Sequence, residues 1–329
     1  MSEMIPEISV VLPVYNEAEN LQSLHDNLCG VLNGLGRWYE IIYCDDGSTD
    51  GSPAKLRELA SGNPAVRVLL LRRNFGQTAA IRAGVDHARG DIVVLMDADL
   101  QNDPADIPNL LERLDEGYDI VSGWRRKRQD PFFTKVLPSK IANWLISRIS
   151  GVKLHDHGCT LKAYRRDVLS GISLYGEMHR FISIYGHWIG ARVGEVEVRH
   201  HPRQGGKSKY SLSKSMKVFL DIPVLVLLGR FLTRPVHFFG AIGMGFNFAG
   251  LICAFFVLYE KLTEVDAKAH RNPLLLLAIF FSLVGIQIIM IGLLAELMTR
   301  VYHESQNKKI YVVRERINLP DGSENEKKR

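Results

Sequence analysis

The apolar run Ile92-Val93-Val94-Leu95-Met96 stops on Asp97-Ala98-Asp99-Leu100-Gln101. Flanked by helical periodicities, such a run reads as a parallel strand buried on both faces. A buried strand that ends on two carboxylates demands compensation, because an unpaired desolvated charge is costly. In open α/β sheets, ligands gather beyond the carboxyl ends of the strands. Two Asp at i and i+2 with Gln at i+4 offer hard oxygen donors for Mg²⁺ or Mn²⁺ shared with substrate phosphates. The bland reading of this motif is an acidic loop that caps the helix after Pro104.

The same rhythm extends over the first third of the chain. Strands are expected over 8–14, 39–44, 66–71, 92–96 and 118–122, and helices over 17–33, 52–61, 77–88 and 105–116. Alternation of this kind implies a mostly parallel sheet covered on both faces. Acidic groups follow three of the strands: Glu17 the first, Asp45 and Asp46 the second, Asp97 and Asp99 the fourth. Like charges converging on one sheet edge repel unless a cation or donor groups compensate them. The first strand leads into Pro13-Val14-Tyr15-Asn16-Glu17 rather than GxGxxG, which removes the main support for a nicotinamide-binding domain.

The 329 residues are 46% hydrophobic, unevenly spread. Residues 235–258 and 273–295 contain no Asp, Glu, Lys or Arg. Each exceeds the roughly 20 residues a helix needs to cross a bilayer core, and neither carries the polar stripe of a surface helix. Two transmembrane helices are expected. Basic residues precede the first span (Lys207, Lys209, Lys214, Lys217, Arg230, Arg234) and follow the second (Arg300, Lys308, Lys309, Arg314, Arg316), while the connector at 261–272 is short and mixed in sign. The positive-inside rule then places both termini in the cytoplasm and the connector outside. The start carries Glu3 and Glu7 and lacks the basic segment of a signal peptide. Four scattered cysteines without CxxC suggest neither zinc nor disulfides, and a net charge of +5 beside two spans points to anionic lipid rather than nucleic acid.

Ile141, Trp144, Leu145 and Ile149 give 139–149 an amphipathic pattern, fitting either the headgroup region or the domain's own core. Residues 212–229 read as a second interfacial helix. Ala241, Gly245 and Ala249 form a small-residue stripe suited to close helix packing. Gln287 and Glu296 are the polar groups of the second span, Glu296 reading as a helix-end residue. Residues 309–314 read as a short strand that needs an edge to pair with, one candidate being a neighbouring subunit, and with the small-residue stripe it suggests a homo-oligomer.

Six motifs in order, VVLPVYNE (10–17), DDGSTD (45–50), RNFGQTAAI (73–81), DADLQ (97–101), HDHGCTLKAY (155–164) and RQGGKSKY (203–210), resemble the glycosyltransferase family 2 enzymes of the GT-A fold. More narrowly, the chain resembles the polyprenyl-phosphate glycosyltransferases. The resemblance implies a cytosolic GT-A domain over 1–210, a juxtamembrane amphipathic helix over 211–234, two spans over 235–300 and a cytosolic tail over 301–329 with a strand at 309–316. It assigns Pro13, Tyr15, Glu17 and Asp46 to the nucleotide pocket and Asp97, Asp99 and Gln101 to the divalent metal. Asp156 matches the acceptor-side catalytic position, with Asp99 and Arg203 in catalytic roles beside it. Arg125, Arg203, Lys207, Ser208 and Lys209 would bind the acceptor phosphate. The processive QxxRW motif is missing, so one sugar per turnover is expected.

The implied partners are a nucleotide sugar, UDP-glucose being favoured, and a membrane-borne polyprenyl phosphate. GDP-mannose and UDP-amino sugars would use the same motifs. A lipid monophosphate has its second pKa near ~6 and is largely dianionic at neutral pH, so it needs positioning more than deprotonation. A carboxylate at Asp156 would repel it, which makes orientation of a sugar hydroxyl or of a Lys/Arg partner the better role for that residue. In-line attack would invert the anomeric centre. Two other readings compete. A DxD phosphatase would carry its motif on the first strand rather than the fourth. A membrane scaffold or flippase component leaves three acidic strand ends unexplained.

Overall fold

Strands β1 (Ile8–Val14), β2 (Tyr39–Asp45), β3 (Val66–Leu71) and β4 (Ile92–Leu95) are buried along almost their whole length. Burial on both faces is what their unbroken Val/Ile/Leu runs require. The structure, a computed structural model, describes residues 5–126, 137–172, 178–202, 235–263, 272–305 and 310–319. The chain forms two compact units, Met1–Phe219 with Lys309–Arg329, and Leu220–Lys308.

In the first unit the eight strands run β7-β5-β6-β4-β1-β2-β3-β8, with β5 (Ile120–Trp124), β6 (Lys162–Arg165), β7 (Val193–Glu197) and β8 (Val313–Ile317) completing the sheet. Only β6 and β8 run against the others. Alternate residues of β1 serve two cores. Val10, Leu12 and Val14 pack with Leu21, Leu24, Leu28 and Leu32 of α1 (Leu21–Gly34), with α2 (Ser52–Gly62) and with α4 (Ile107–Asp115). Val11 faces the other way, onto Ala80, Ala83 and Val85 of α3 (Gln77–His87). At about 25 cal/mol per Å² of apolar surface removed from water, these two layers are the main source of stability.

Expected and observed boundaries agree closely, with two physical exceptions. Helix α1 begins at Leu21 rather than 17, because residues 16–18 are bonded into the loop after β2 through Ser48, Asp50 and Ser52. The helix after Pro104 starts as a 3-10 turn, Pro104–Asp106, whose first free amide is capped by Asp103. The expected helix over 139–149 is α5 (Leu137–Ser150); Ala142, Ile146 and Ser150 are buried, whereas Trp144 stays 67% exposed. Two short helices, α6 (Arg166–Ser170) and α7 (Ile182–Trp188), lie between β6 and β7.

The terminal strand finds its edge within its own chain. β8 pairs antiparallel with β3 and is fastened by the bidentate Arg57–Glu315 pair, by Tyr311 donating to Asp86 at 2.8 Å, and by Asn318 donating to the Ala60 and Val66 carbonyls. A neighbouring subunit is not required to satisfy it.

The second unit contains helices α8 (Pro235–Thr263) and α9 (Pro273–Ser305), whose segments Phe239–Thr263 and Pro273–Leu294 are long and apolar enough to cross a membrane. Their contact uses a different face from the stripe read in the sequence. A Cβ placed on Gly243 would lie 2.6 Å from the Gly285 carbonyl oxygen, and one on Gly250 would lie 2.8 Å from Ser282 Oγ. Asn247 donates to the Gly243 carbonyl at 2.8 Å. Ala241 and Gly245 point away from this seam and are exposed.

Gly47 ties the fold to the site. Its φ is +69°, and a Cβ there would lie 2.7 Å from the Asn74 amide nitrogen and closer still to the Arg73 carbonyl carbon. Gly47→Ala therefore combines left-handed strain with a backbone clash, expected to cost roughly 2–5 kcal/mol in thermal or urea unfolding. Gly62→Ala, where nothing lies within 4 Å, serves as control and should shift stability by under ~0.5 kcal/mol.

Candidate active site

Strands β4, β1 and β2 are neighbours, so the acidic groups that follow them converge at one end of the sheet. The turn after β1 is held open by Asn16 at φ 56°, with its amide donating to Ser48 Oγ at 2.9 Å and its side-chain oxygen accepting from the Thr49 amide at 2.9 Å. Glu17 accepts from Asn20 Nδ2 at 2.6 Å, and Pro13 and Tyr15 are half-buried beside it. Asp46 is buried. Its two oxygens accept from the amides of Phe75 (2.7 Å) and Gly76 (2.9 Å), just ahead of α3. Burial pushes its carboxyl above the ordinary range, and those two amides oppose the shift. Asp46 thus fixes the loop ahead of α3.

Asp97 accepts from Gln77 Nε2 at 2.8 Å and from the Thr160 hydroxyl, while Asp99 accepts from the Gln101 amide at 3.2 Å. Between them Leu100 adopts φ 60°, a left-handed conformation that costs a bulky residue roughly 1–3 kcal/mol. The turn is held on both sides. The His201 amide donates to the Gln101 carbonyl at 3.0 Å, and Asn102 Nδ2 donates to Thr160 Oγ1 at 2.9 Å. Burial, then the adjacent Asp99 charge, pushes the Asp97 carboxyl up to about 7, against the pull of Thr160, Arg125 and Gln77. A cation would relieve that repulsion. Among the described residues no group of three or more His, Cys, Asp and Glu could hold an ion alone. Two carboxylates completed by substrate oxygens suit Mg²⁺ or Mn²⁺, so the residues present fit such an ion.

A pH prediction follows from the Asp97 carboxyl. A carboxyl held up to about 7 favours the folded, metal-free protein below its ordinary range, and that contribution is lost as pH rises through 7. Cation binding requires the ionised form. The rise in melting temperature on adding Mn²⁺ should therefore be larger at pH 8 than at pH 6, and should vanish in Asp97→Asn at both.

Arg125 and Asp156 meet directly. The guanidinium donates to Asp156 Oδ2 at 2.7 Å and Oδ1 at 3.0 Å, with the two side chains only 15% and 3% exposed. The Gly158 amide also donates to Asp156, whose own amide donates to Glu195 at 3.1 Å. His155 stacks on Trp124 at 4.3 Å and bonds Glu195. Burial pushes the His157 imidazole down to about 3, so it is a neutral partner of Ser147 Oγ. His155 and His157 are thus each held by a protein partner, Glu195 and Ser147. After β7, Arg199 grips Asp106 through its amide and guanidinium, and His201 is bonded to the Gln101 carbonyl. Arg203, Lys207, Ser208 and Lys209 lie outside the described residues.

Sequence reasoning left several site residues without a role. Gln77 and Thr160 orient Asp97; both lie inside motifs that were recognised. Lys162 of β6 is 2% exposed and donates to the His157 carbonyl at 3.1 Å. Burial pushes its amine down to about 8. It lines a small recess with Pro13, Asp97, Thr160, His179 and Arg180.

With the geometry in place, comparison with known proteins is direct. Residues 9–172 match the family described as Glycosyl transferase family 2. The dodecaprenyl-phosphate galacturonate synthase of Rhizobium johnstonii is 39% identical over 313 residues, covering 94% of this chain and 92% of the relative. Among solved structures, glucosyl-3-phosphoglycerate synthase from Mycobacterium tuberculosis, crystallised with Mn²⁺ and UDP-glucose, superposes with a TM-score of 0.53 at 22% identity, covering 68% of this chain and 79% of that one. The same enzyme with Mn²⁺, UDP and glucosyl-3-phosphoglycerate also gives 0.53 at 22% identity, covering 68% of this chain and 80% of that one. These structures share the fold: a mixed, mostly parallel sheet of the GT-A type. The family match, together with a relative aligned over nearly its full length, places this chain in glycosyl transferase family 2.

Proposed function

We propose that this chain is an inverting glycosyltransferase that moves one sugar from a nucleotide donor to a polyprenyl monophosphate at the cytoplasmic face of a membrane. The observation that carries the proposal is the pair Asp97–Asp99 at the carboxyl end of β4, in a chain that also supplies two apolar helices long enough to cross a bilayer. The name of the 39% identical relative supports polyprenyl phosphate as acceptor. For the donor, the sequence resemblance favours UDP-glucose and that relative's name favours a hexuronate.

In this reading Asp97 and Asp99, with Gln101 beside them, hold Mg²⁺ or Mn²⁺. When bound, the ion neutralises the diphosphate leaving group as a Lewis acid. Gln77 and Thr160 hold the Asp97 carboxylate in place, and Pro13, Tyr15, Glu17 and Asp46 shape the nucleotide pocket. Arg125, held by Asp156, presents a fixed positive charge toward the site. Arg203, Lys207, Ser208 and Lys209 bind the acceptor phosphate. Asp156 acts as a positioning residue, since a dianionic nucleophile needs no base. The basic residues before the first apolar helix and after the second support both termini lying on the cytoplasmic side. The protein works as a homo-oligomer, with domain limits at 1–210, 211–234, 235–300 and 301–329.

The test uses the full chain in vesicles containing undecaprenyl phosphate, Mn²⁺ or Mg²⁺, and a panel of labelled nucleotide hexoses, hexuronates and amino sugars. Label should enter the organic phase as one sugar per lipid phosphate, with the anomeric configuration inverted. No lipid-linked label with any donor, or chains of two or more sugars, would overturn the reading.

A further inference from the structure

We infer that Lys162 reads a carboxylate on the donor sugar, so that the enzyme prefers a nucleotide hexuronate to the neutral hexose. The inference rests on the glycosyl-transfer reading above and sharpens its donor class.

A cation buried to 2% exposure is normally matched by a counter-charge. Lys162 has none within ion-pair distance among the described residues; its hydrogen bond is to a backbone carbonyl, leaving ammonium donors unused. The two carboxylates whose charge reaches it are already engaged. Asp156 is held bidentately by Arg125, and Glu195 accepts from the amides of His155 and Asp156. Lys162 also lines a recess whose wall includes Asp97 and Arg180. The recess therefore meets the carboxylate assigned to the metal.

Size selects the ligand group. The recess offers about 20 Å³ to a water-sized group, room for one water or for the oxygen end of a planar carboxylate. It does not admit a sugar ring. A hexuronate whose ring lies over Asp97 could extend its C6 carboxylate into the recess and supply the missing counter-charge. A neutral hexose would place a hydroxymethyl group there and leave the ammonium unmatched. Sites that bind a polar group with buried partners reject analogues lacking it far more strongly than apolar pockets reject an extra group.

The decisive experiment compares kcat/KM for UDP-galacturonate and UDP-galactose, with undecaprenyl phosphate as acceptor, in wild type, Lys162→Met and Lys162→Arg. Wild type should favour the uronate by at least about 100-fold. Lys162→Met should lower the uronate-to-galactose ratio of kcat/KM by about 100-fold and so erase the preference; Lys162→Arg should retain most of it. A wild type that favours the neutral donor overturns the inference while leaving the glycosyltransferase reading intact. Equal losses for both donors in Lys162→Met overturn it too, because a purely structural role or a contact to the acceptor phosphate would act that way. If Lys162→Met fails to fold, Lys162→Gln takes its place in the same comparison, with the same outcomes. Absence of transfer from every nucleotide sugar sinks the underlying reading instead.

Discussion

Asp99→Ala is expected to lower kcat/KM by at least about 10³-fold while leaving the fold intact. The loss follows from what the carboxylate does. A divalent ion that neutralises a departing diphosphate is worth several kcal/mol in the transition state, and each 1.36 kcal/mol is tenfold in rate. Asp99 is half-buried, and its hydrogen bond from the Gln101 amide is local, so removing it leaves both core layers untouched. The variant should also relieve the repulsion on Asp97, whose carboxyl then returns toward the ordinary range. Full activity in Asp99→Ala, or a matching loss of thermal stability, would show that the motif is an acidic cap and nothing more.

Breaking the Arg125–Asp156 pair should have the second largest effect. Truncating one partner of a buried, hydrogen-bonded ion pair costs roughly 3–5 kcal/mol, because the other charge is left without compensation. Asp156→Ala should therefore lower stability by about that amount and activity by about 10²-fold or more. The double variant Arg125→Met/Asp156→Leu separates two roles for the pair. Apolar replacements of similar volume often restore stability, so this variant should fold well yet remain inactive. Recovery of activity with stability would assign the pair to scaffolding alone. The pH dependence of the residual rate in Asp156→Asn adds a second readout. A flat profile between pH 6 and 8 marks a positioning residue; a log-linear rise marks a lost general base.

The parallel half of the sheet was legible because its signals are local. Runs such as Val10-Val11-Leu12 and Val68-Leu69-Leu70 report burial on both faces, and the Asp residues that end β2 and β4 mark the edge where ligands bind. The two long apolar helices were equally plain from the absence of charge. What could not be read was the insertion of β6. A four-residue strand that runs antiparallel between β4 and β5 has no rhythm of its own, and Lys162 on it resembles an ordinary exposed residue. Only the sheet order buries that amine beside Asp97. The pairing of β8 with β3 is likewise long-range, joining residues more than 240 positions apart, so the sequence showed a strand in need of an edge without showing which one. Asp156 was expected to orient a sugar hydroxyl or a Lys/Arg partner, without the partner being identified as Arg125. That they neutralise each other follows from β5 and the 155–160 loop meeting at Gly123, where a Cβ would come within 3.0 Å of Cys159 Sγ.

The most direct test of the central claim is the anomalous scattering of Mn²⁺ in crystals of the full chain grown with a nucleoside diphosphate. The account predicts one strong peak within about 2.0–2.4 Å of carboxylate oxygens from Asp97 and Asp99, completed by diphosphate oxygens and lost in Asp99→Ala. A peak elsewhere on the domain, or none at saturating Mn²⁺ with the nucleotide clearly bound, would contradict it.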